Sequence, residues 1–210
     1  MRKQEVSVLQ AQDLKCEKGG AQLFEKLSFT LSSGQALVVE GSNGSGKTSL
    51  LRILCGFNQP TDGVITWCDT PINKHEEYQQ QISFIGHASG VKLDLTVLEN
   101  LSFAQRLVGT DYHESEIKEI IRTVGLSKQR NILTRKLSAG QKRRVALARL
   151  QLEQRRIWIL DEPLTALDKG FVTEFEIVLK NHLDRNGLLI LSTHRELNIP
   201  QHEVQRLNLS

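Results

Sequence analysis

Long apolar runs are missing from this 210-residue sequence. None approaches the roughly 20 residues that a helix needs to cross a bilayer. The start, Met1-Arg2-Lys3-Gln4-Glu5, leads into an alternating segment rather than the apolar region of a secretory signal, so the chain is expected to stay where it is made. Cysteine is scarce: Cys16, Cys55 and Cys68 are odd in number and lack C-x-x-C and C-x-x-C-H spacing. That argues against a metal knuckle and covalent heme attachment, and it predicts reduced core thiols in a cytosolic compartment. Glycine (15) and proline (4) are too few for disordered or fibrous classes. Neither sign of charge dominates; a formal net charge of +3 does not by itself argue for nucleic acid. Internal repeats and low-complexity tracts are also absent.

What is present is a composition of 39% hydrophobic and 24% charged residues, enough for one compact domain with a full core. Short strands are expected at Val6 to Leu14, Leu27 to Leu31 and Ala36 to Glu40, with breaks at Glu17 to Gln22 and Ser32 to Gln35. A glycine-rich loop then precedes an apolar-periodic helix from Ser49 to Gly56. Gly63 to Trp67 and Gln81 to Ile85 read as a hairpin. Helical spacing follows over Leu95 to Val108 and His113 to Val124, which places a helical subdomain across 87–135. The chain then returns to alternation: helix Ser138 to Gln154, strand Ile157 to Leu160, helix Phe171 to Asn186, strand Leu188 to Leu191. Continuous apolar strands of this kind belong to a parallel sheet covered on both faces, so the fold class is α/β. Lys142, Arg143, Arg144, Arg149, Arg155 and Arg156 cluster, and read first as a solvated helix face, with a surface toward acidic lipid headgroups or a partner subunit as the alternative.

Gly41-Ser42-Asn43-Gly44-Ser45-Gly46-Lys47-Thr48 fits G-x-x-x-x-G-K-[ST] between a strand and a helix. Glycines let successive backbone N–H groups turn inward around a polyphosphate, and the helix N-terminus adds partial positive charge. Lys47 is expected to reach the β- and γ-phosphates, and Thr48 to offer a hydroxyl oxygen to Mg²⁺, a hard cation. Arg156-Ile157-Trp158-Ile159-Leu160-Asp161-Glu162 is an apolar strand ending in two carboxylates, at the edge where such sheets bind ligands. Asp161 is expected to face the metal, generally through water, and Glu162 the attacking water.

Leu137-Ser138-Ala139-Gly140-Gln141 resembles the L-S-G-G-Q signature of ATP-binding-cassette (ABC) ATPases, with Ala139 in place of a glycine. The order of the glycine loop, this segment, Asp161-Glu162 and His194 after Leu189-Ile190-Leu191-Ser192-Thr193 carries the resemblance over nearly the whole chain. It implies a P-loop NTPase of ABC type: a mainly parallel sheet core, an N-terminal antiparallel β subdomain and an inserted helical subdomain, with 1–210 forming a single ABC ATPase domain. It implies ATP and Mg²⁺ as cofactors, Glu162 and His194 as catalytic residues, and Thr48 and Asp161 toward the metal. Ser138, Ala139, Gly140 and Gln141 would close in trans over nucleotide held by a second copy, in a head-to-tail nucleotide-sandwich dimer. Two departures stand out. Cys16-Glu17-Lys18-Gly19-Gly20 offers no aromatic to stack on adenine, which leaves base preference open. His87 stands where the family carries a nucleotide-site glutamine, and an imidazole is a poorer Mg²⁺ ligand than an amide oxygen.

The segment Ile85-Gly86-His87-Ala88-Ser89-Gly90-Val91 through Val97-Leu98-Glu99-Asn100 resembles one branch, the heme-exporter ATP-binding subunits of cytochrome c maturation, in which Gly-His replaces the glutamine. That implies a peripheral subunit on the cytoplasmic face of the inner membrane, partnered by integral membrane subunits resembling CcmB and CcmC. Neither nucleic-acid binding nor direct heme binding is expected. ABC ATPases for a lipid, lipoprotein or metal chelate are the neighbouring reading. A soluble ABC ATPase on nucleic acid would need coiled-coil insertions or a second cassette, and a small P-loop kinase would have no use for Leu137 to Gln141.

Overall fold

A computed structural model describes residues 8–75, 77–109, 112–200 and 203–209. The chain divides into two compact units, one of Met1–Phe84, Arg156–Glu162 and Glu176–Ser210, the other of Ile85–Arg155 and Pro163–Phe175.

The first unit is built on two sheets. β1 (Val8–Lys18) and β2 (Ala21–Ser32) form a long antiparallel hairpin. Its turn is Gly19-Gly20, both at positive φ, the conformation that lets a two-residue turn follow the strand twist. The expected break over Glu17 to Gln22 is therefore only this turn, and the strands are longer than the sequence pattern suggested. Irregular register between Ala11 and Glu17, with Asp13 at φ 47°, breaks the apolar alternation that would have revealed them. Val6 and Ser7 of the expected first strand lie outside the described residues. β4 (Asp62–Trp67) pairs with the other edge of β1, and β5 (Thr70–Pro71) with β4, giving the order β2-β1-β4-β5.

The hairpin expected between Gly63 to Trp67 and Gln81 to Ile85 is not formed. Both edges of β4 are taken by β1 and β5, and β6 (Ile82–Ile85) joins the second sheet instead. That sheet has the order β6-β7-β8-β3-β9, in which β3 (Ala36–Glu40), β7 (Ile157–Asp161), β8 (Leu188–Ser192) and β9 (Val204–Asn208) run parallel. β7 and β8 are buried at every residue, which is why they read as unbroken apolar runs. β9 was not anticipated, because an edge strand of alternating exposure, Val204-Gln205-Arg206-Leu207-Asn208, carries little apolar signal.

α1 (Lys47–Leu54) buries Leu50, Leu51, Ile53 and Leu54 in a core shared with Leu37 and Ile159 of the parallel strands. Each such fully buried aliphatic contributes about 2 kcal/mol of transfer free energy. Cys16 and Cys55 lie in this core, where burial raises both thiols above their usual range. Cys68 does not: it is exposed in the β4–β5 turn at φ 47°, so the reading of three core thiols holds for two.

The second unit is helical: α2 (Val97–Val108), α3 (Glu114–Thr123) and α4 (Ala139–Glu153). It takes in α4, beyond the 87–135 span expected for the helical insertion. Thr96 and Glu99 form a reciprocal capping box at the start of α2. Asn100, 5% exposed, accepts from the Lys92 N–H and donates to the carbonyls of Lys92, Leu95 and Thr96, so one amide pins the loop before that helix. α5 (Lys169–Asp184) follows β7 in the chain.

Candidate nucleotide site

β3 feeds the glycine loop, and three of its glycines are required for different reasons. Gly41 sits at φ 143°, and a side chain there would run into the Leu209 carbonyl, held against the loop because the Leu209 N–H donates to Glu40 O at 2.9 Å. Gly44, at φ 87°, faces open space and is needed only for its backbone conformation. Gly46, the left-handed N-cap of α1, would place a Cβ 3.0 Å from Leu23 Cβ and 3.3 Å from the Phe24 ring. Ser42 and Asn43 are exposed between them. Lys47 is buried, and its Nζ donates to the carbonyls of Gly41 (2.7 Å) and Ser42 (3.0 Å), across the mouth of the loop.

The parallel register places the acidic pair beside this loop. Val39 pairs with Ser192, and Ser192 with Asp161, so β3, β8 and β7 end side by side. Asp161 is 3% exposed, and its carboxylate accepts from Thr48 Oγ1 on Oδ2 and Ser192 Oγ on Oδ1, each at 2.7 Å. Glu162 has φ 50°, a left-handed backbone that a non-glycine residue adopts only when its surroundings impose it. Its N–H is shared between Ser192 O (3.2 Å) and Ser192 Oγ (3.0 Å). His194 Nε2 lies 3.4 Å from Glu162 Oε1, with the imidazole 59% exposed and the glutamate side chain 24% exposed.

These residues fit a nucleoside triphosphate with a hard divalent cation. Ser45 Oγ is enclosed in the loop and has no hydrogen-bond partner, an arrangement that a phosphate oxygen would complete. Thr48 and Asp161 form an adjacent pair of oxygen donors, as Mg²⁺ prefers when phosphates supply further ligands. Among the described residues no group of three or more His, Cys, Asp or Glu could hold a metal without such help.

The other expected site residues belong to the helical unit. His87 is exposed just after β6. Ser138 caps α4: its hydroxyl accepts from the Gln141 N–H, while Gln141 Oε1 accepts from the Ser138 N–H. Ala139 is exposed at the first helical position, whereas a Cβ on Gly140 would lie 2.6 Å from the Ala166 carbonyl oxygen. The alanine therefore replaces the glycine that has room for a methyl group.

Three of the six residues in the basic cluster bind within the fold rather than forming a solvated face. Arg143, 6% exposed, donates from Nε to Pro163 O (3.1 Å) and from Nη1 to Gly86 O (2.7 Å). Arg144 bonds Val124 O and Asp168 and covers the Phe171 ring, and Arg149 pairs with Glu153. The carbonyls that Arg143 and Arg144 satisfy are distant in the chain, so the sequence shows these two residues only as charge. Ser192 carries a weaker sequence signal, a lone hydroxyl ending an otherwise apolar buried strand.

A family model for ABC transporters matches residues 24–165. The cytochrome c biogenesis ATP-binding export protein CcmA of Nitrosomonas europaea is 42% identical, over 98% of this chain and 97% of that protein. This chain belongs to the CcmA family of ABC ATPases. The CcmA protein of Escherichia coli K12 is 40% identical, over 98% of both chains. Among solved structures, one described as an ABC transporter ATP-binding protein from Pyrococcus furiosus superposes with a TM-score of 0.83 at 27% identity, covering 96% of this chain and 97% of that one. As a CcmA-family member the chain is an ATP-binding ABC ATPase, and the parallel and antiparallel sheets described above are the α/β P-loop architecture of that class.

Proposed function

We propose that this chain hydrolyses ATP as the peripheral subunit of the membrane complex that exports or hands over heme for c-type cytochrome assembly. The observation that carries the reading is identity of 40–42% along nearly the full chain to ATP-binding export proteins of cytochrome c biogenesis. Gly86-His87, in place of the usual glutamine, agrees with it.

In this reading residues 1–210 act as one ABC ATPase domain with the helical subdomain inserted. Two copies associate head to tail. In each, the loop amides of Gly41 to Thr48 and the Lys47 amine hold the triphosphate, with Lys47 exchanging its loop carbonyls for phosphate oxygens. Thr48 and Asp161 offer oxygens to Mg²⁺, Asp161 through water; the ion, when bound, neutralises phosphate charge. Glu162 orients the attacking water and accepts its proton, and His194 holds Glu162 and contacts the terminal phosphate. His87 is counted among the nucleotide-binding residues, and Ser138, Ala139, Gly140 and Gln141 of the opposing copy complete the site. Hydrolysis removes the phosphate on which closure depends, so the dimer reopens.

Integral membrane subunits resembling CcmB and CcmC are the partners this reading names, met at the cytoplasmic face of the inner membrane. The helical unit around residues 87–110, with exposed Leu93, Phe103 and Leu107, is the contact assigned to them. Heme itself has no site on this chain in this reading. The test is deletion of the gene in its own host followed by heme staining of c-type cytochromes. Loss of the stained bands, restored by the parent chain and not by Glu162→Gln, is the expected result; normal c-type cytochromes in the deletion strain would reassign the cargo.

A further inference from the structure

Ser192 touches both carboxylate residues through one hydroxyl. Its Oγ donates to Asp161 Oδ1 at 2.7 Å and accepts the Glu162 N–H at 3.0 Å. Ser192 and Asp161 are register partners in adjacent parallel strands, so their side chains leave the sheet on the same face and the hydroxyl needs no distortion to reach. Ser192 is fully buried, in a strand whose other members are Leu188, Leu189, Ile190 and Leu191. A polar group in that environment is costly unless its bonds are satisfied, and here it both donates and accepts. The neighbouring geometry depends on it. Asp161 Oδ1 accepts from Ser192 while Oδ2 accepts from Thr48 Oγ1, so each carboxylate oxygen takes a hydroxyl donor on its own side. Glu162, one residue on, holds φ 50° while its N–H is shared between the Ser192 carbonyl and hydroxyl oxygens.

We propose that Ser192 is a positioning residue for ATP hydrolysis: its hydroxyl fixes the plane of the Asp161 carboxylate beside Thr48 and holds the Glu162 backbone in the left-handed conformation that aims its side chain toward His194. Ser192 acts through Asp161 and Glu162 and touches no reacting atom. The assignment rests on the proposed roles of those two residues. Without the hydroxyl, Asp161 Oδ1 loses the Ser192 donor and the Glu162 N–H loses its 3.0 Å acceptor, leaving the Ser192 carbonyl at 3.2 Å. The carboxylate can then rotate away from the Thr48 side, weakening the oxygen pair offered to Mg²⁺, and Glu162 can relax toward ordinary backbone angles. Nucleotide contacts made by the glycine loop and Lys47 are unaffected.

The experiment compares Ser192→Thr with Ser192→Val in the complex with its membrane subunits, since the two replacements match in volume and differ in the hydroxyl. Two readouts are taken: steady-state ATPase kinetics, and equilibrium binding of radiolabelled ATP with and without Mg²⁺. Ser192→Val is expected to lose at least about tenfold in kcat, a larger change than the accompanying rise in KM for Mg·ATP. Its metal-free ATP affinity should match the parent, while the tightening of binding by Mg²⁺ is reduced. Ser192→Thr should recover most of both. Equal kcat and equal Mg²⁺ response in the two variants would overturn the proposal, whether both match the parent or both fall together from crowding in a buried strand. Asp161→Asn and Glu162→Gln, measured alongside, separate the layers: normal turnover in those would reject the site reading itself, whereas their loss with an intact Ser192→Val would reject only the role of Ser192.

Discussion

His194 Nε2 stands 3.4 Å from Glu162 Oε1, and the glutamate that it faces has its backbone at φ 50°. A side chain held by a strained backbone and a neighbouring imidazole is pre-aimed, so its chemistry and its orientation can be removed separately. Glu162→Gln preserves size and removes the carboxylate proposed as the base; it should retain ATP binding, lower turnover by about 10²-fold or more, and accumulate a closed dimer visible by size-exclusion chromatography with ATP. His194→Ala leaves the carboxylate and should cost less turnover than the loss of Glu162 itself. Normal ATPase activity in Glu162→Gln would remove it from the role of base.

The signature segment makes a sharper demand on Gly140 than on Ala139. A Cβ on Gly140 would meet the Ala166 carbonyl at 2.6 Å, while Ala139 is exposed at the start of α4. Gly140→Ala must push apart two backbone segments and should destabilise the helical unit by about 1–3 kcal/mol. Ala139→Gly restores the commoner signature and should leave ATPase activity near that of the parent. Parallel activity and thermal-melt measurements on the two variants check the contrast, and a silent Gly140→Ala would mean that the Ala166 segment yields easily.

Much of the candidate site is legible in the sequence because its physics is local. The glycine loop, the carboxylates after an apolar strand and the capped start of α4 are each set by a few consecutive residues, and each forms in the element expected for it. What escaped depends on pairing between distant segments. Bulges interrupt the alternation of the β1–β2 hairpin, the partner of β6 is written in neither strand, and β9 carries too few apolar residues to stand out. The arginines of α4 show the same limit. Charge suggested solvent, yet Arg143 is buried because two carbonyls, Gly86 O and Pro163 O, come within reach only in the fold.

Those two carbonyls make Arg143 a testable support. A guanidinium can bond both at once from Nε and Nη1, which a single ammonium cannot reproduce with the same geometry. Arg143→Lys should therefore fall well short of full rescue, and Arg143→Ala should cost about 2–4 kcal/mol by leaving carbonyls unpaired in a buried place. Amide exchange should quicken around Gly86 and His87 in both variants, which hydrogen-exchange mass spectrometry would register. Unchanged protection there would confine the role of Arg143 to the helix itself.

His182 gives the fold a defined sensitivity to acid. Its ring stacks on Trp158 with centroids 3.8 Å apart and planes 7° from parallel, and Nε2 donates to Leu188 O at 3.1 Å in the neutral form. Burial, only partly offset by backbone hydrogen bonds, lowers its pKa from 6.5 to about 4. The depressed value means that the unfolded chain takes up a proton first as pH falls. The associated stability is whole above pH 6.5, declines between there and about pH 4, and is gone below it. The loss from this one group should reach about 2 kcal/mol near pH 5. Urea unfolding of the parent and of His182→Phe at pH 7.5 and pH 5 would isolate it. The phenylalanine keeps a ring against Trp158 but forfeits the Leu188 bond, so it should be the less stable protein at neutral pH, with a gap that narrows or reverses in acid. Gly187 sets the position of this ring, because any side chain there would occupy the space of the imidazole. Gly187→Ala should consequently displace His182 from Trp158, raise the histidine pKa toward its ordinary value, and flatten the same part of the pH profile. A steep acid loss that persists in both variants would move its source to another group.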